Sequence, residues 1–505
     1  MGKPPVNYGV YLVTDSTPAI LGTGDLCAIV AAAVRGGVTC VQYRDKHSGH
    51  DVVVDTARRL HAITRPLGVP LLINDRVDVA LEVGCEGVHI GQDDMEYQQA
   101  RNLLGPDKII GVSAGSIQEA LKACEAGADY LGIGAVFATP TKKDTKTILG
   151  PSGLRSILSA LASSGHAAVP TVCIGGVNGS NARAVLVDSS TPTKTLDGVA
   201  VVSAIVAAPD PAAAARHLLA EVLAAKVPGV IRAVAHLSPL SHNITNMVVQ
   251  NFAANIALAV GASPIMANEA AEAEDLAKLG GALVINMGSL SKGQINNYLA
   301  AVKAYNAVGR PVVFDPVGAG ASALRRQTVK DLLSSGHFDV IKGNEGEIQT
   351  VYGATITQKG VDSTSSLTLP QKAALVSTLA RRENNVVVLT GVTDVLSDGT
   401  RTLRIDNGHE YLGMVTGTGC TLGTVISAMV AACPGDKLLA AAAGAAMFGV
   451  AAEMAAGRAE VRGPGTFVPA FIDELYAIRK ATAEGDMRWM VMAKIQAIEV
   501  DEGLI

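Results

Sequence analysis

Over the first 225 residues, short apolar runs bounded by turn residues alternate with longer stretches whose apolar positions recur at helical spacing. The strand-like runs are Tyr8–Asp15, Cys40–Asp45, Leu71–Asp75, Gly87–Gly91, Ile109–Ala114, Tyr130–Val136, Thr171–Gly176 and Gly198–Ser203. Helix-like stretches follow them, among them Leu26–Arg35, Val52–Thr64, Ile117–Ala126 and Ala212–Ala225. Eight such alternations predict an α/β protein opening with a (β/α)8 TIM barrel, whose chemistry sits at the C-terminal ends of the strands. An open doubly wound sheet needs fewer strands and is the alternative.

At Lys226-Val227-Pro228-Gly229 the Pro-Gly pair reads as a helix stop and the pattern changes. The boundary is expected there, giving domains 1–228 and 229–505 with no long linker. In the second part Val312–Phe314, Val340–Lys342 and Val386–Leu389 read as strands, and Val415–Cys420 opens a long apolar helix. Leu438–Ala452 is too short and alanine-rich for a membrane span and reads as a buried helix. The polar stretch Asp188–Leu196 reads as a surface insertion, and Trp489–Ile505 as an extra helix.

The expected strand ends of the first half are polar. Gln42, Arg44 and Lys46 alternate toward one side, placing an amide and two cations at the barrel mouth. Asn74-Asp75 and Gln92-Asp93-Asp94 bring carboxylates from neighbouring strand ends, the donor set that Mg2+ takes alongside phosphate oxygens and water. Ser113, Gly175-Gly176 and Val202-Ser203 end three further strands. The loop Phe137–Asp144 carries Thr139, Thr141 and Lys142, able to cradle an anion of two phosphates through hydroxyls, amides and a point charge. Each residue alone reads more readily as a turn residue, a helix cap or a solvated charge; their joint occurrence at strand ends carries the argument.

In the second half, Val415-Thr416-Gly417-Thr418-Gly419-Cys420 places free N–H groups at a helix N-terminus, an anion hole suited to a transferring phosphoryl group. The same terminus is expected to favour the Cys420 thiolate and lower its pKa. Asn344 and Glu347, three apart after a strand, read either as a pair orienting a Mg2+-bound water or as a capping pair.

Composition narrows the classes. A net charge of −5 without a basic tract argues against nucleic-acid and anionic-membrane partners. Seven scattered cysteines with no CxxC pair support neither a disulfide framework nor a zinc site. The N-terminus lacks a secretory pattern, so a cytoplasmic location is expected.

QYRDK, IND, HIGQDD, GVSA, TPTKKD, IGGV and VVSAI, in this order, resemble thiamine-phosphate synthase across residues 8–225. The resemblance implies that Gln42, Arg44, Lys46, Asn74, Ser113 and Lys142 bind a pyrimidine diphosphate, and that Asp75 and Asp94 bind Mg2+. Thr139, Thr141, Gly176, Val202 and Ser203 would then bind a thiazole phosphate. Ala138 stands where many relatives carry proline.

HNITN, GASPIM, DPVGAGA, KGNEGE, LTG, VTGTGC and GPGTF likewise resemble hydroxyethylthiazole kinase, of the ribokinase-like α/β fold, across roughly residues 230–480. Asn246 and Met266 would line its thiazole site. Asp315, Lys342, Asn344, Glu347, Thr390, Gly417 and Gly419 would serve ATP and Mg2+, and Cys420 would take the substrate hydroxyl proton. Lys342 stands where relatives often carry arginine, which forks onto phosphate as lysine cannot.

Together the halves are similar to the fused thiamine-biosynthesis enzymes of fungi, which implies hydroxyethylthiazole, ATP and the pyrimidine diphosphate as small-molecule substrates. It also implies a trimer-based homo-oligomer, extending to a hexamer. A thiazole-tautomerase-like barrel or a non-catalytic second half are the alternatives.

Overall fold

The computed structural model describes residues 3–4, 6–139, 147–354 and 366–504, in two compact units, Met1–Ala225 and Lys226–Ile505. Thr141 and Lys142 lie outside the described residues.

In the first unit β1 (Val10–Val13), β2 (Cys40–Tyr43), β3 (Leu71–Asn74), β4 (Gly87–Ile90), β5 (Ile109–Ala114), β6 (Tyr130–Gly134), β7 (Thr171–Ile174) and β8 (Gly198–Val201) close into a barrel of parallel strands, each paired with its neighbours in sequence. The polar ends of several expected runs, Asp15, Arg44, Asp45 and Asp75, lie just beyond the ladder and so rim the mouth. The interior sets tyrosine rings among aliphatic side chains such as Val13, Leu72, Ile109 and Val172. Tyr8, Tyr11 and Tyr130 are buried together, with Tyr8 and Tyr130 ring centroids 4.6 Å apart.

Glycines clear room for these rings. Gly111 is in register with His89 on one side and Tyr130 on the other. A Cβ there would lie 2.1 Å from the Tyr130 ring, and one at Gly132 would lie 3.0 Å from the His89 ring.

The second unit holds a nine-stranded sheet ordered β10-β9-β11-β12-β13-β14-β15-β16-β17. Its strands are β9 (Leu240–Ile244), β10 (Ser263–Ile265), β11 (Ala282–Asn286), β12 (Val312–Asp315), β13 (Val340–Asn344), β14 (Val386–Thr390), β15 (Asp394–Ser397), β16 (Thr402–Ile405) and β17 (Ile495–Ala497). The pairs from β10 to β14 are parallel and those from β14 to β17 antiparallel. Helix Thr418–Ala432 packs on β9, β11 and β12 and places its N-terminus near their C-terminal ends. Lys437–Ala456 is long and apolar enough to cross a membrane by length and composition, yet 89% of its most apolar window is buried within the protein. It packs between Thr418–Ala432 and Pro464–Glu484 as a core helix.

Three expectations are corrected. The helix expected to stop at Pro228 runs from Pro211 to Leu237 with that proline inside it. Proline removes one intrahelical N–H bond and crowds one carbonyl, and here the helix-forming alanine-rich flanks carry the helix past it. The stretch 188–196 is not solvated throughout: Thr191, Lys194 and Leu196 are buried. The Lys194 ammonium donates to the Ala167 and Val169 carbonyls at 2.9 and 2.6 Å, tying the turn to the segment that enters β7. Finally, the described residues of 489–505 form no α-helix. A 3₁₀ turn, Arg488–Met492, leads into β17, which pairs antiparallel with β16 as Leu403↔Ala497 and Ile405↔Ile495.

Candidate functional site

At the barrel mouth the charged strand ends pair. Arg44 Nη1 lies 3.2 Å from Asp15 Oδ2, and the Arg44 N–H donates to Thr14 Oγ1 at 3.0 Å, so β1 holds the first expected cation. Lys46 Nζ sits 3.0 Å from Asp75 Oδ2. Asp75 has φ +62°, a left-handed conformation uncommon outside glycine that turns it off the end of β3 toward the mouth. Its carboxyl shares a hydrogen bond with that of Asp94, while Asp94 Oδ2 accepts the Gly91 N–H at 2.7 Å.

The two acids are pushed apart in affinity for a proton. Burial, then the Asp94 carboxyl, raise Asp75; Asp94 is lowered because the hydrogen bonds from Asp75 and Gly91 outweigh its own burial. Two neighbouring carboxyls repel unless positive charge offsets them; Lys46 supplies one such charge at Asp75, and a divalent cation is another that the pair can take. The pair therefore fits Mg2+.

Asn74 closes β3, half-buried beside Asp75. Gly175 and Gly176 have φ +102° and +67°; a Cβ on Gly176 would come within 2.8 Å of Phe137 Cβ and 2.9 Å of the Ala138 carbonyl. The β7 end thus touches the loop leading to Thr139, which is half-buried. The Val202 carbonyl accepts from the Ile205 and Val206 N–H groups, and Ser203 opens a short helix at the end of β8.

Inside the mouth the expected Gln42 and Ser113 are the two ends of one hydrogen-bonded run. Gln42 Nε2 donates to Tyr11 OH at 2.8 Å, and Tyr11 OH meets Tyr130 OH at 2.7 Å. Tyr130 OH meets His89 Nδ1 at 2.7 Å, and His89 Nε2 meets Ser113 Oγ at 2.9 Å. Burial pushes His89 down to about 4, so the ring is neutral near pH 7. Tyr11, Tyr130 and His89 lie within apolar strand runs, so sequence position alone does not single them out; the strand register does.

In the second unit a single cluster gathers five of the expected residues. Asn246 Nδ2 donates to Asn286 Oδ1 at 3.0 Å and reaches Cys420 Sγ at 3.6 Å. Asn286 Nδ2 donates to Asp315 Oδ2 at 2.8 Å, Lys342 Nζ lies 3.1 Å from the same oxygen, and Lys342 also donates to the Gly419 carbonyl at 2.8 Å. Asn286, at the end of β11, is the hub the sequence reading missed, because an asparagine closing an apolar run also reads as a turn. Asp315 is fully buried and, among the described residues, its Oδ1 has no hydrogen-bond partner. Burial raises the Asp315 carboxyl, while Asp315 more than offsets burial at Lys342 and holds that ammonium above its ordinary value.

Asn344 and Glu347 form a capping box: Glu347 N donates to Asn344 Oδ1 at 3.0 Å, and Glu347 Oε2 accepts the Asn344 N–H at 2.8 Å. Glu347 Oε1 accepts the Gly318 N–H at 2.8 Å, so this side chain also holds the turn after β12. Burial, then the charge of Asp315, push Glu347 up to about 7. Thr390 closes β14 in register with Asn344, and Met266 follows β10, the strand paired to β9. Gly417, at φ +95°, caps Thr418–Ala432, and a Cβ there would stand 2.3 Å from Val249.

One electrostatic expectation is corrected. Cys420 sits three residues past that cap, yet burial, then the Asp315 charge, push its thiol up to about 11; the nearby Lys342 offsets this only in part.

Two family descriptions match the chain: thiamine monophosphate synthase over residues 10–205 and the hydroxyethylthiazole kinase family over residues 231–481. The chain is 40% identical to the probable thiamine biosynthetic bifunctional enzyme of Schizosaccharomyces pombe, covering 98% of this chain and 100% of that protein. It is 36% identical to the thiamine biosynthetic bifunctional enzyme of Saccharomyces cerevisiae, covering 94% and 96%. A hydroxyethylthiazole kinase from Desulforudis audaxviator is 46% identical over 49% of this chain and 89% of its own.

Proposed function

The chain belongs to the family of bifunctional thiamine-biosynthetic enzymes, in which a thiamine-phosphate synthase and a hydroxyethylthiazole kinase share one polypeptide, and on that premise we propose how its residues divide the work. The protein is a double transferase. It phosphorylates 4-methyl-5-(2-hydroxyethyl)thiazole with ATP as co-substrate, and joins the thiazole phosphate to 4-amino-2-methyl-5-(diphosphomethyl)pyrimidine, giving thiamine phosphate and pyrophosphate.

The kinase chemistry belongs to residues 229–505 and the condensation to residues 1–228. In the kinase, Asn246 and Met266 line the thiazole, and Gly417, Gly419, Thr390 and Lys342 receive the ATP phosphates. The hydroxyl oxygen forms a bond to the γ-phosphorus as ADP leaves, and its proton passes to Cys420 Sγ. Cys420 accepts it only as a thiolate, and the Lys342 ammonium is the charge that favours that form against burial. Asn344 and Glu347 act through backbone, holding the turn of Gly318 beside Asp315.

In the condensation, Gln42, Asn74 and Ser113 hold the pyrimidine, while Arg44, Lys46 and Lys142 take the growing charge of the leaving diphosphate. The C–O bond breaks toward the diphosphate, and the electron-rich aminopyrimidine carries the methylene cation until the thiazole nitrogen bonds to it. Thr139, Thr141, Gly176, Val202 and Ser203 hold the thiazole phosphate. Mg2+ held by Asp75 and Asp94, and by Asp315 in the kinase, would supply neutralising charge at phosphate oxygens.

The observation that carries this reading is Asp315: a fully buried carboxylate with two partners on Oδ2 and, among the described residues, none on Oδ1. A free acceptor of that kind inside a core is otherwise costly, and it suits a cation brought by substrate.

A cytoplasmic, trimer-based assembly extending to a hexamer belongs to the same proposal, with no nucleic-acid or membrane partner. Met247 and Val248, 76% and 72% exposed directly after Asn246, support a subunit contact at the kinase site. Sedimentation equilibrium tests the stoichiometry.

The test of function is incubation of pure protein with hydroxyethylthiazole, ATP, Mg2+ and the pyrimidine diphosphate, with products read by mass. Thiamine phosphate that disappears when ATP or the diphosphate is omitted is the expected result. Accumulation of thiazole phosphate alone overturns the barrel reading, and a need for supplied thiazole phosphate overturns the kinase reading.

A further inference from the structure

The sheet of the second unit ends on β10, three residues long and paired to β9, with Ile265 in register with His242. Beyond Ile265 the ladder stops, and the strap 266–270 that follows begins with Met266. Side chains take up backbone groups of this strap. His242 Nε2 meets the Ala267 carbonyl at 3.0 Å. From helix Lys292–Ala307, Asn297 Nδ2 donates to the Asn268 carbonyl, while its Oδ1 accepts the Ala270 N–H at 3.2 Å. Within a sheet such bonds come from the neighbouring backbone; here an imidazole on β9 and an amide on a helix supply them.

The position of the His242 proton follows from its partners. A carbonyl oxygen only accepts, so Nε2 carries the hydrogen. Burial holds the ring below its ordinary value against the pull of the Ala267 carbonyl and the Glu272 charge, so it is neutral near pH 7 and Nδ1 is an acceptor. Tyr305 OH, 3.0 Å from Nδ1, is its donor, and burial raises that phenol so that it keeps its proton. Both rings are buried. His242 is also in register with Leu283 on β11, so two parallel ladders pin its backbone. An aliphatic side chain would fill such a place at a lower desolvation cost; what it lacks is the donor that reaches Ala267.

We propose that His242 and Asn297 are positioning residues of the kinase: with Tyr305 setting the orientation of the imidazole, they hold the strap so that Met266 stands as a fixed wall of the thiazole site. The proposal rests on the assignment of Met266 to that site. Neither residue touches substrate; both act through the backbone that carries Met266.

The test uses the full chain with His242→Leu, His242→Gln and Asn297→Ala, each alone and combined with Met266→Ala, in steady-state kinase assays varying hydroxyethylthiazole and ATP separately. Glutamine places an amide N–H near the position of Nε2 and so keeps the donor to Ala267. Both His242 variants leave the Tyr305 hydroxyl without its acceptor. His242→Leu is expected to raise KM for hydroxyethylthiazole about 3- to 10-fold, the size of one neutral hydrogen bond, with kcat retained. His242→Gln is expected to keep the wild-type KM although Tm falls in both variants, whereas a merely structural histidine would lower Tm and leave the two KM values alike. KM for ATP and the condensation rate are expected to stay at wild-type values. Asn297→Ala releases the other two ties from a half-buried position and gives the same KM readout if the His242 variants do not fold. Met266→Ala should itself raise KM for hydroxyethylthiazole, and His242→Leu should add nothing to it. Equal KM shifts in the two His242 variants, no shift in His242→Leu or Asn297→Ala, a matching rise in KM for ATP, or additivity with Met266→Ala would overturn the proposal. An unchanged KM in Met266→Ala alone would instead overturn the placing of Met266, and wild-type protein that forms no thiazole phosphate would overturn the kinase assignment.

Discussion

Replacing Lys342 with methionine isolates the electrostatics of the kinase cluster. The Lys342 and Asp315 side chains are 3% and 0% exposed, and their charged atoms lie 3.1 Å apart. At an effective dielectric of ~20, two unit charges at that separation attract by about 5 kcal/mol. Removing one partner leaves Asp315 with the Asn286 amide alone and its Oδ1 still bare. Breaking a buried pair in this way costs about 3–5 kcal/mol.

Protonation sets a ceiling. A carboxyl that ionises near 3.9 when unfolded can be neutralised in the folded state at a cost of about 4 kcal/mol at pH 7 but only about 2 kcal/mol at pH 5.5. The K342M penalty should therefore be about 3–4 kcal/mol at pH 7 and about 2 kcal/mol at pH 5.5. The double variant D315N/K342M, with no charge to strand, should lose less than K342M.

Trp489 makes the assay specific. It is the one tryptophan in the sequence, is buried, and its indole N–H donates to Thr482 Oγ1 at 2.8 Å inside the second unit. Urea unfolding followed by its fluorescence reads that unit alone. A K342M loss below ~1 kcal/mol, equal at both pH values, would refute the claim that this ion pair compensates a buried carboxylate.

Three further outcomes follow from the same coordinates. Cys420→Ala should lower kinase turnover about 100-fold or more while leaving condensation intact, and wild-type turnover should climb from pH 7 to 9, since a thiol pushed up to about 11 gains thiolate throughout that range; a flat profile in a coupled ADP assay removes Cys420 as the base. Gly176→Ala meets Phe137 Cβ at 2.8 Å in a left-handed conformation, so it should cost about 1–2 kcal/mol and raise KM for the thiazole phosphate; an unchanged KM separates the β7 turn from that ligand. Glu347 is raised from 4.5 to about 7 when folded, so its stabilising contribution is complete below ~4.5 and is lost as pH rises through about 7, by at most ~3 kcal/mol. Trp489-monitored unfolding at pH 5 and 8 checks the sign, and greater stability at pH 8 would contradict it.

The barrel was legible because each βα unit announces itself locally: an apolar run, a polar strand end, then a helix-period stretch. The polar ends were legible too, since charged residues just past buried strands have few structural reasons to recur. Side chains that act from inside the wall were harder. Tyr11 and Tyr130 look like ordinary core aromatics, and His89 sits within an apolar run, so only the strand register reveals that their polar atoms meet. Asn286 was hidden in the same way, its role fixed by β9 and β12 on either side. Pro228 misled because a stop signal states a local cost, and the surrounding helix outweighed it. The C-terminal strand was missed because Ile495 and Ala497 give too short an alternation to oppose a helical reading. Cys420 shows the converse case: its helix position was read correctly, but burial by its neighbours governs its proton.

The contact between Gly111 and the Tyr130 ring also bears on how such a barrel can drift. The volume inside the wall is shared between two adjacent strands, so neither position is free to change first. A methyl at 111 has no space while the tyrosine stands, and loss of the tyrosine leaves a void of ring size that the glycine cannot fill. Neutral passage between alternative fillings then demands a paired exchange, small for large on one strand and large for small on the next. Among homologous barrels these two sites should covary in size, and the lineages that exchanged them should also have lost the histidine's partner at position 89.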